Sequence, residues 1–212
     1  MIKLSHITSY ITCPRLCYYR LHFEDEVFTE MNAVREIYLS FRRGFDLKWA
    51  EERAKALYSN FDYEVFKKAS EKFVYREIGL KTVEWDTVLK SERLEVVMTI
   101  DEIVSDGQRE FPLFLSLNSP EEGIWFKDVI KAGIAGIIAG YDESKIYYAY
   151  SGELRDVEVS YGIKRKALKL IERVKMIKKG FLPERRESEY CRFCSFKEDC
   201  KAKPETFASK FL

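Results

Sequence analysis

Tyr190-Cys191-Arg192-Phe193-Cys194-Ser195-Phe196-Lys197-Glu198-Asp199-Cys200 sets three cysteines in C-x2-C-x5-C spacing near the end of the chain, and a fourth, Cys13, stands alone near its start. About 177 residues separate Cys13 from Cys191. A local finger or knuckle draws its ligands from a short stretch, so this layout brings the two ends of the chain to one site. Thiolates gathered in this way hold a soft metal, either zinc or an iron–sulfur cluster. Structural zinc usually takes two close cysteine pairs, whereas here one remote cysteine joins a triplet. The aromatic residues between the cysteines (Tyr190, Phe193, Phe196) are suited to excluding water from a cluster. A clip that closes so long a loop restricts the unfolded chain strongly. Cys17, the fifth thiol, reads as a buried or spare cysteine.

Working outward, 212 residues fit a single domain, 1–212, whose segments 1–22 and 187–212 together build the cysteine site. A hydrophobic share of 46% against 33% charged residues excludes a disordered chain and indicates a globular one. The net charge of +1 does not by itself indicate a nucleic-acid partner, so the distribution of charge matters more than its sum. Lys and Glu are abundant and Gln108 is the sole glutamine, a composition that leans toward a heat-adapted source. An odd cysteine count argues against a secreted disulfide framework. The first residues show no signal-peptide pattern, and the longest apolar run, Ile134 to Ala139, is too short to span a bilayer. The expected setting is a reducing cytoplasm, with no membrane partner.

The element pattern is helices, three strands, a helix, two strands and a helix, then the cysteine tail. Helices are expected over 5–22, over 32–58 with Gly44 as a possible interruption, and over 62–73. The β-branched and aromatic bias of 82–90, 93–104 and 111–117 predicts strands, with Asp106-Gly107 as a turn. Residues 126–140 return to a helix whose Ala and Gly content suits close packing on a sheet. Residues 145–151 and 153–160 read as a strand pair around Ser151-Gly152. Apolar steps of four and three from Ile163 to Ile177 predict a helix over 163–179, ended by Gly180. The expected class is α/β, a mixed sheet flanked by helices.

Tyr10-Ile11-Thr12-Cys13-Pro14-Arg15-Leu16-Cys17-Tyr18-Tyr19 resembles the cysteine-proline-arginine opening of the CRISPR-associated, RecB-like nucleases, and the terminal C-x2-C-x5-C with its short basic tail is similar to that family's end. The resemblance covers nearly the whole chain. It implies a PD-(D/E)XK, restriction-endonuclease-like core. It also implies that Cys13, Cys191, Cys194 and Cys200 ligate a [4Fe–4S] cluster. The activity it implies is a manganese- or magnesium-dependent DNA exonuclease, acting on single-stranded or duplex ends in DNA repair or with CRISPR adaptation proteins.

The catalytic motifs of that family carry over only in part. Its Gly-x-Ile-Asp motif corresponds to Met98-Thr99-Ile100-Asp101, which keeps the metal-binding aspartate and lacks the glycine. Its Pro-x-Glu-x-Lys motif corresponds to Pro112-Leu113-Phe114-Leu115-Ser116, with Phe114 for the acid and Ser116 for the lysine. On the next helix Lys131 and Ala135 stand where the family carries glutamine and tyrosine. The early helical histidine has no counterpart, and Arg43 or Phe45 lies near its expected place. Phosphodiester hydrolysis with a divalent cation needs hard oxygen ligands and a nearby cation for the developing charge. Asp101 and Lys131 are the candidate catalytic residues, with Asp101 also the candidate Mn2+ or Mg2+ ligand. Glu110, Glu121 or Glu122 are the candidates for a second carboxylate. Glu102 is disfavoured because strand alternation turns it away from Asp101. The plainer readings are a hydrogen-bonded strand-end aspartate and a salt-bridged helix lysine.

Residues 164–186 hold ten Lys or Arg against two Glu. Lys164, Arg165, Lys169, Arg173, Arg185 and Arg186 are the candidate nucleic-acid contacts, a stripe suited to phosphates. The same stripe also reads as a solvated helix face. Three functions are therefore open: a divergent exonuclease, a nuclease-fold scaffold that binds DNA or a partner without hydrolysing it, and a zinc-stapled interaction protein.

Overall fold

The computed structural model describes residues 1–23 and 27–201. A short strand β1 (Ile2–Lys3) leads into α1 (Leu4–Thr12) and α2 (Pro14–His22), followed by α3 (Glu30–Arg42), α4 (Leu47–Leu57) and α5 (Tyr63–Lys72). Strands β2 (Lys81–Ser91), β3 (Val96–Ser105) and β4 (Glu110–Ser116) precede α6 (Phe126–Ala139), and β5 (Glu143–Tyr148) and β6 (Glu153–Glu158) precede α7 (Tyr161–Lys178). A 3-10 turn (Glu189–Arg192) and the short α8 (Lys197–Lys201) carry the cysteine tail.

The expected helix over 5–22 is two helices. Cys13 is extended (φ −159°, ψ 123°) because Pro14 steers its predecessor away from helical geometry and itself starts α2. The expected helix over 32–58 is likewise divided. Gly44, at φ +80°, supplies the left-handed conformation that ends α3, and Asp46 caps α4 by accepting from the Trp49 N–H at 2.9 Å.

The sheet is mixed, in the order β1-β3-β4-β5-β6 with β2 also paired to β3. β2 runs antiparallel along the length of one edge of β3. The other edge is shared: β1 pairs in parallel at Val96 and Val97, and β4 pairs antiparallel only from Glu102 to Ser105. Beyond Leu113, β4 leaves β3 and stays with β5, in register from Leu113↔Lys145 to Ser116↔Tyr148. The sheet thus forks, and Met98–Asp101 face an opening between β1 and β4.

One face of the sheet packs on α1, α2, α6 and α7 through Met98, Ile100, Phe114, Ile130, Ile134 and Val174. The other packs on α3 through Tyr38, Leu39, Val104, Leu113, Leu115 and Tyr147. Helices α3, α4 and α5 add a satellite core around Ile37, Ala50 and Phe66. Close packing of α6 needs its small residues. A Cβ on Gly136 would lie 2.5 Å from the Tyr141 carbonyl oxygen and 2.7 Å from Val159 Cγ1. No helix among the described residues is long and apolar enough to cross a membrane.

Candidate functional site: the cysteine cavity and the fork of the sheet

The break that makes Cys13 extended also aims it at the tail. Cys13, Cys191, Cys194 and Cys200 all line one cavity of about 190 Å³, with Arg15, Leu16 and Tyr19 in its wall. Arg15 ties the two chain ends together. Its Nε donates to the Pro183 carbonyl at 2.9 Å, and its Nη1 donates to the Cys200 carbonyl at 2.9 Å and approaches Cys200 Sγ at 3.6 Å. The Ser188 N–H and hydroxyl hold the Cys191 thiol below its usual range. Burial, and then the neighbouring Cys13, Cys191 and Cys200, pushes Cys194 up. Four thiols around one space match the donor set of a thiophilic centre. Among the described residues, no three His, Cys, Asp or Glu side chains close on a point as a single metal ion would require.

Tyr19 stacks on Phe196 with centroids 5.2 Å apart, and Tyr190 lines the cavity. Phe193 points away, 83% exposed, so the expected aromatic screen is made by two tail rings rather than three. Cys17 is fully buried in the core, where burial pushes its thiol up to about 12.

The second site is the fork. Leu115, on the splayed part of β4, has no backbone partner on β3, and side chains replace the missing ladder. Its N–H donates to Asp101 Oδ2 at 2.9 Å and its carbonyl accepts from Lys131 Nζ at 3.0 Å. Lys131 Nζ also lies 2.8 Å from Asp128 Oδ1, one turn earlier on α6. Asp101 and Lys131 therefore do line one cavity, of about 310 Å³, together with Arg35, Thr99, Phe114, Ser116 and Lys127.

Arg35 was not visible from the sequence. It reaches across from α3, and its Nε donates to Asp101 Oδ1 at 3.0 Å. The same guanidinium bonds Asp86 and lies 3.0 Å from Glu36 Oε1. Arg53 Nε closes the network on Glu36 Oε2 at 2.6 Å. Register places Asp86 directly opposite Asp101, between the Trp85↔Glu102 and Thr87↔Ile100 pairs. Two carboxylates facing one another would repel, and Arg35 bridges them. Asp86 holds φ +55°, a rare left-handed conformation for a residue inside a strand. Burial works against the Arg35 charge, and Asp101, Asp86 and Glu36 more than offset it. Burial also pushes the Asp101 carboxyl above its ordinary range, although Arg35, the Leu115 N–H and Lys131 pull the other way.

Arg43 and Phe45 lie elsewhere: Arg43 sits over the Trp85 ring and Phe45 stacks on Trp49. Glu102 is absent from the pocket, but not because it faces the far side. Asp101 and Glu102 are both engaged from α3, Asp101 by Arg35 and Glu102 by Tyr38 Oη at 2.7 Å and Arg42 Nη2 at 2.6 Å. Glu110 begins β4 at the end remote from the fork, and Glu121 and Glu122 line a separate cavity with Trp125. Phe114, where the resemblance expects an acid, is 1% exposed in the core.

A hard divalent cation does not fit this wall. Both Asp101 oxygens are engaged, and among the described residues no second carboxylate lines the cavity while three cationic side chains do.

Along α7, Arg165, Lys166, Lys169 and Arg173 are exposed and make no ion pair among the described residues. Lys164 pairs with Asp142 at 3.2 Å, and Lys175 with Glu172 at 3.2 Å. Arg185 and Arg186 do not extend this row. They line the cysteine cavity, where Arg185 bonds Glu187.

Comparison with known proteins agrees with this architecture. The chain is 58% identical over 212 residues, the whole of both chains, to a protein of Archaeoglobus fulgidus described as uncharacterized. No protein-family model matches. In fold, it is similar to the crystal structure of a Eubacterium rectale protein provisionally assigned as an exonuclease. The TM-score is 0.58 at 14% identity, over 97% of this chain and 90% of that one. The mixed sheet flanked by helices is thus shared with that structure.

Proposed function

The chain belongs to one family with the Archaeoglobus fulgidus protein, and we propose that it is a nuclease-fold protein that holds DNA ends without hydrolysing them. The single observation that carries this reading is the state of Asp101. The one acid retained from the nuclease motifs is bound by Arg35 and the Leu115 N–H, while Phe114 fills the place of its partner. Hydrolysis would need at least a second oxygen ligand on that wall. Binding needs only surface cations, and the unpaired row of Arg165, Lys166, Lys169 and Arg173 supports it.

The four cysteines would hold a [4Fe–4S] cluster that fastens the two ends of the chain. Support comes from their common cavity and from the resemblance of the Cys-Pro-Arg opening. One remote cysteine joined to a close triplet, rather than two close pairs, favours a cluster over zinc. The cytoplasmic setting is supported by the odd cysteine count, and a role in CRISPR adaptation or in DNA repair by that resemblance alone.

A second reading, a Mn2+- or Mg2+-dependent exonuclease, is favoured by one observation: Asp101 and Lys131 share the fork pocket. Anaerobically purified protein separates the two. Salt-sensitive binding to DNA ends with no loss of substrate in Mn2+ or Mg2+ is expected. Degradation that disappears in Asp101→Ala would establish the exonuclease instead.

A further inference from the structure

The fork pocket has features that neither DNA holding nor the metal-site reading requires. Lys127 and Lys131 stand one turn apart on α6 and both line it, with Arg35 across the cavity. Among the described residues, the only carboxylate on the wall is Asp101. Arg35 is neutralised by its acidic partners and Lys131 by Asp128. Lys127 has neither a hydrogen bond nor an ion pair among the described residues, although it is half-buried. Its ammonium is held below the usual lysine range by burial, with Lys131 adding to the effect against Asp128. An uncompensated ammonium in such a place is costly.

Ser116 adds an independent sign. It is 1% exposed, lines the same cavity, and its Oγ has no hydrogen-bond partner. A buried hydroxyl without a partner is uncommon and calls for an explanation. The first turn of α1, at Leu4 and Ser5, also opens on the pocket and adds the partial positive charge of a helix start. A free ammonium, an unused hydroxyl and a helix start complement a small tetrahedral anion. The cavity, at about 310 Å³, has room for one.

We propose that the fork pocket binds a phosphate monoester directly, without a divalent cation, through Lys127, Lys131 and Ser116. Resting on the DNA-holding function, the ligand is the terminal phosphate of a strand. A free phosphate monoester offers the same chemistry.

The test measures binding of oligonucleotides with 5′-phosphate, 3′-phosphate or hydroxyl ends in EDTA. One phosphorylated end should bind about tenfold tighter than the hydroxyl end, the worth of a charge-assisted contact. Lys127→Gln should abolish that gain and leave hydroxyl-ended DNA unaffected, and Lys127→Arg should restore most of it. Lys127→Gln should melt no lower than the wild type, because it removes an uncompensated charge. A preference for phosphorylated ends that survives in Lys127→Gln overturns the proposal.

Inorganic phosphate, matched in ionic strength by chloride, provides the second arm. If no DNA binds, the DNA-holding function fails. The pocket then stands only if phosphate raises Tm in the wild type and not in Lys127→Gln. Indifference to end chemistry together with no phosphate-dependent shift overturns the pocket itself.

Discussion

Arg35 determines what Asp101 can do. Its guanidinium meets three carboxylates, and Glu36 among them is fully buried. Replacing it by methionine keeps the length of the side chain and strands those charges. Arg35→Met should therefore destabilise the protein by about 3–5 kcal/mol, read as a lower Tm or denaturant midpoint. A second prediction concerns His6. Burial, then the positive charges of Lys3, Arg20 and Lys178, lowers its pKa from 6.5 to about 4. Its Nδ1 also accepts the Lys3 N–H at 3.2 Å at the start of α1, which requires that nitrogen to be unprotonated. The unfolded chain takes up this proton first as pH falls. The contribution of His6 is complete above pH 6.5 and is lost as pH falls toward 4, by roughly 2 kcal/mol after allowance for partial exposure. His6→Gln should remove that component from the pH dependence of unfolding.

At the scale of elements, α6 is held against α7 and the segments flanking β5 and β6 by what it lacks. Gly136→Ala would push a methyl group into the Tyr141 carbonyl and Val159, and should cost about 1–3 kcal/mol in denaturant unfolding. The sequence expectation is close packing on the sheet; at Gly133 and Gly136 the close approach is instead to α7, through Ile163, Ala167 and Lys164, and to Tyr141 and Val159 just outside β5 and β6. Helix α7 shows how far a charge pattern can be read. Its apolar stripe is buried through Ala167, Leu170, Ile171, Val174 and Ile177 as periodicity predicts. The ten cations of the segment do not act as one row, because Lys164 and Lys175 are paired and Arg185 and Arg186 belong to the cysteine cavity. The double variant Lys169→Glu, Arg173→Glu should weaken binding to all DNA sequences alike and reduce the salt slope by about two.

At the scale of the whole molecule, the cysteine site joins residues whose separation along the chain is nearly its full length. A clip of that span removes much freedom from the unfolded chain. Cys194→Ala should lower Tm together with iron content, and the absorbance near 400 nm should fall in parallel. An iron-free variant with an unchanged Tm would deny the cluster a structural role. The fork acts on a similar scale. It needs β1 from the start of the chain, β3 and β4 from the middle, and the helices on both faces to bring α1, α3 and α6 around one cavity.

The sequence by itself determined the run of helices and strands from 32 to 179, the helix break at Gly44, and the gathering of Cys13 with the tail, because each follows from local chemistry or from a spacing that only chain closure explains; the break at Pro14 is masked by a continuous apolar pattern. Its resemblance to the RecB-like nucleases also put Phe114 where an acid would be expected. The structure alone decided which charges meet. Arg35 and Glu36 on α3 and Asp86 on β2 carry no motif; the β2–β3 register sets Asp86 beside Asp101, and Arg35 reaches both only because α3 crosses the fork. Asp86 left one trace in the sequence, an aspartate inside a strand, where that residue is disfavoured. Ion pairing depends on distances of a few ångströms between elements, and no periodicity along the chain encodes those distances.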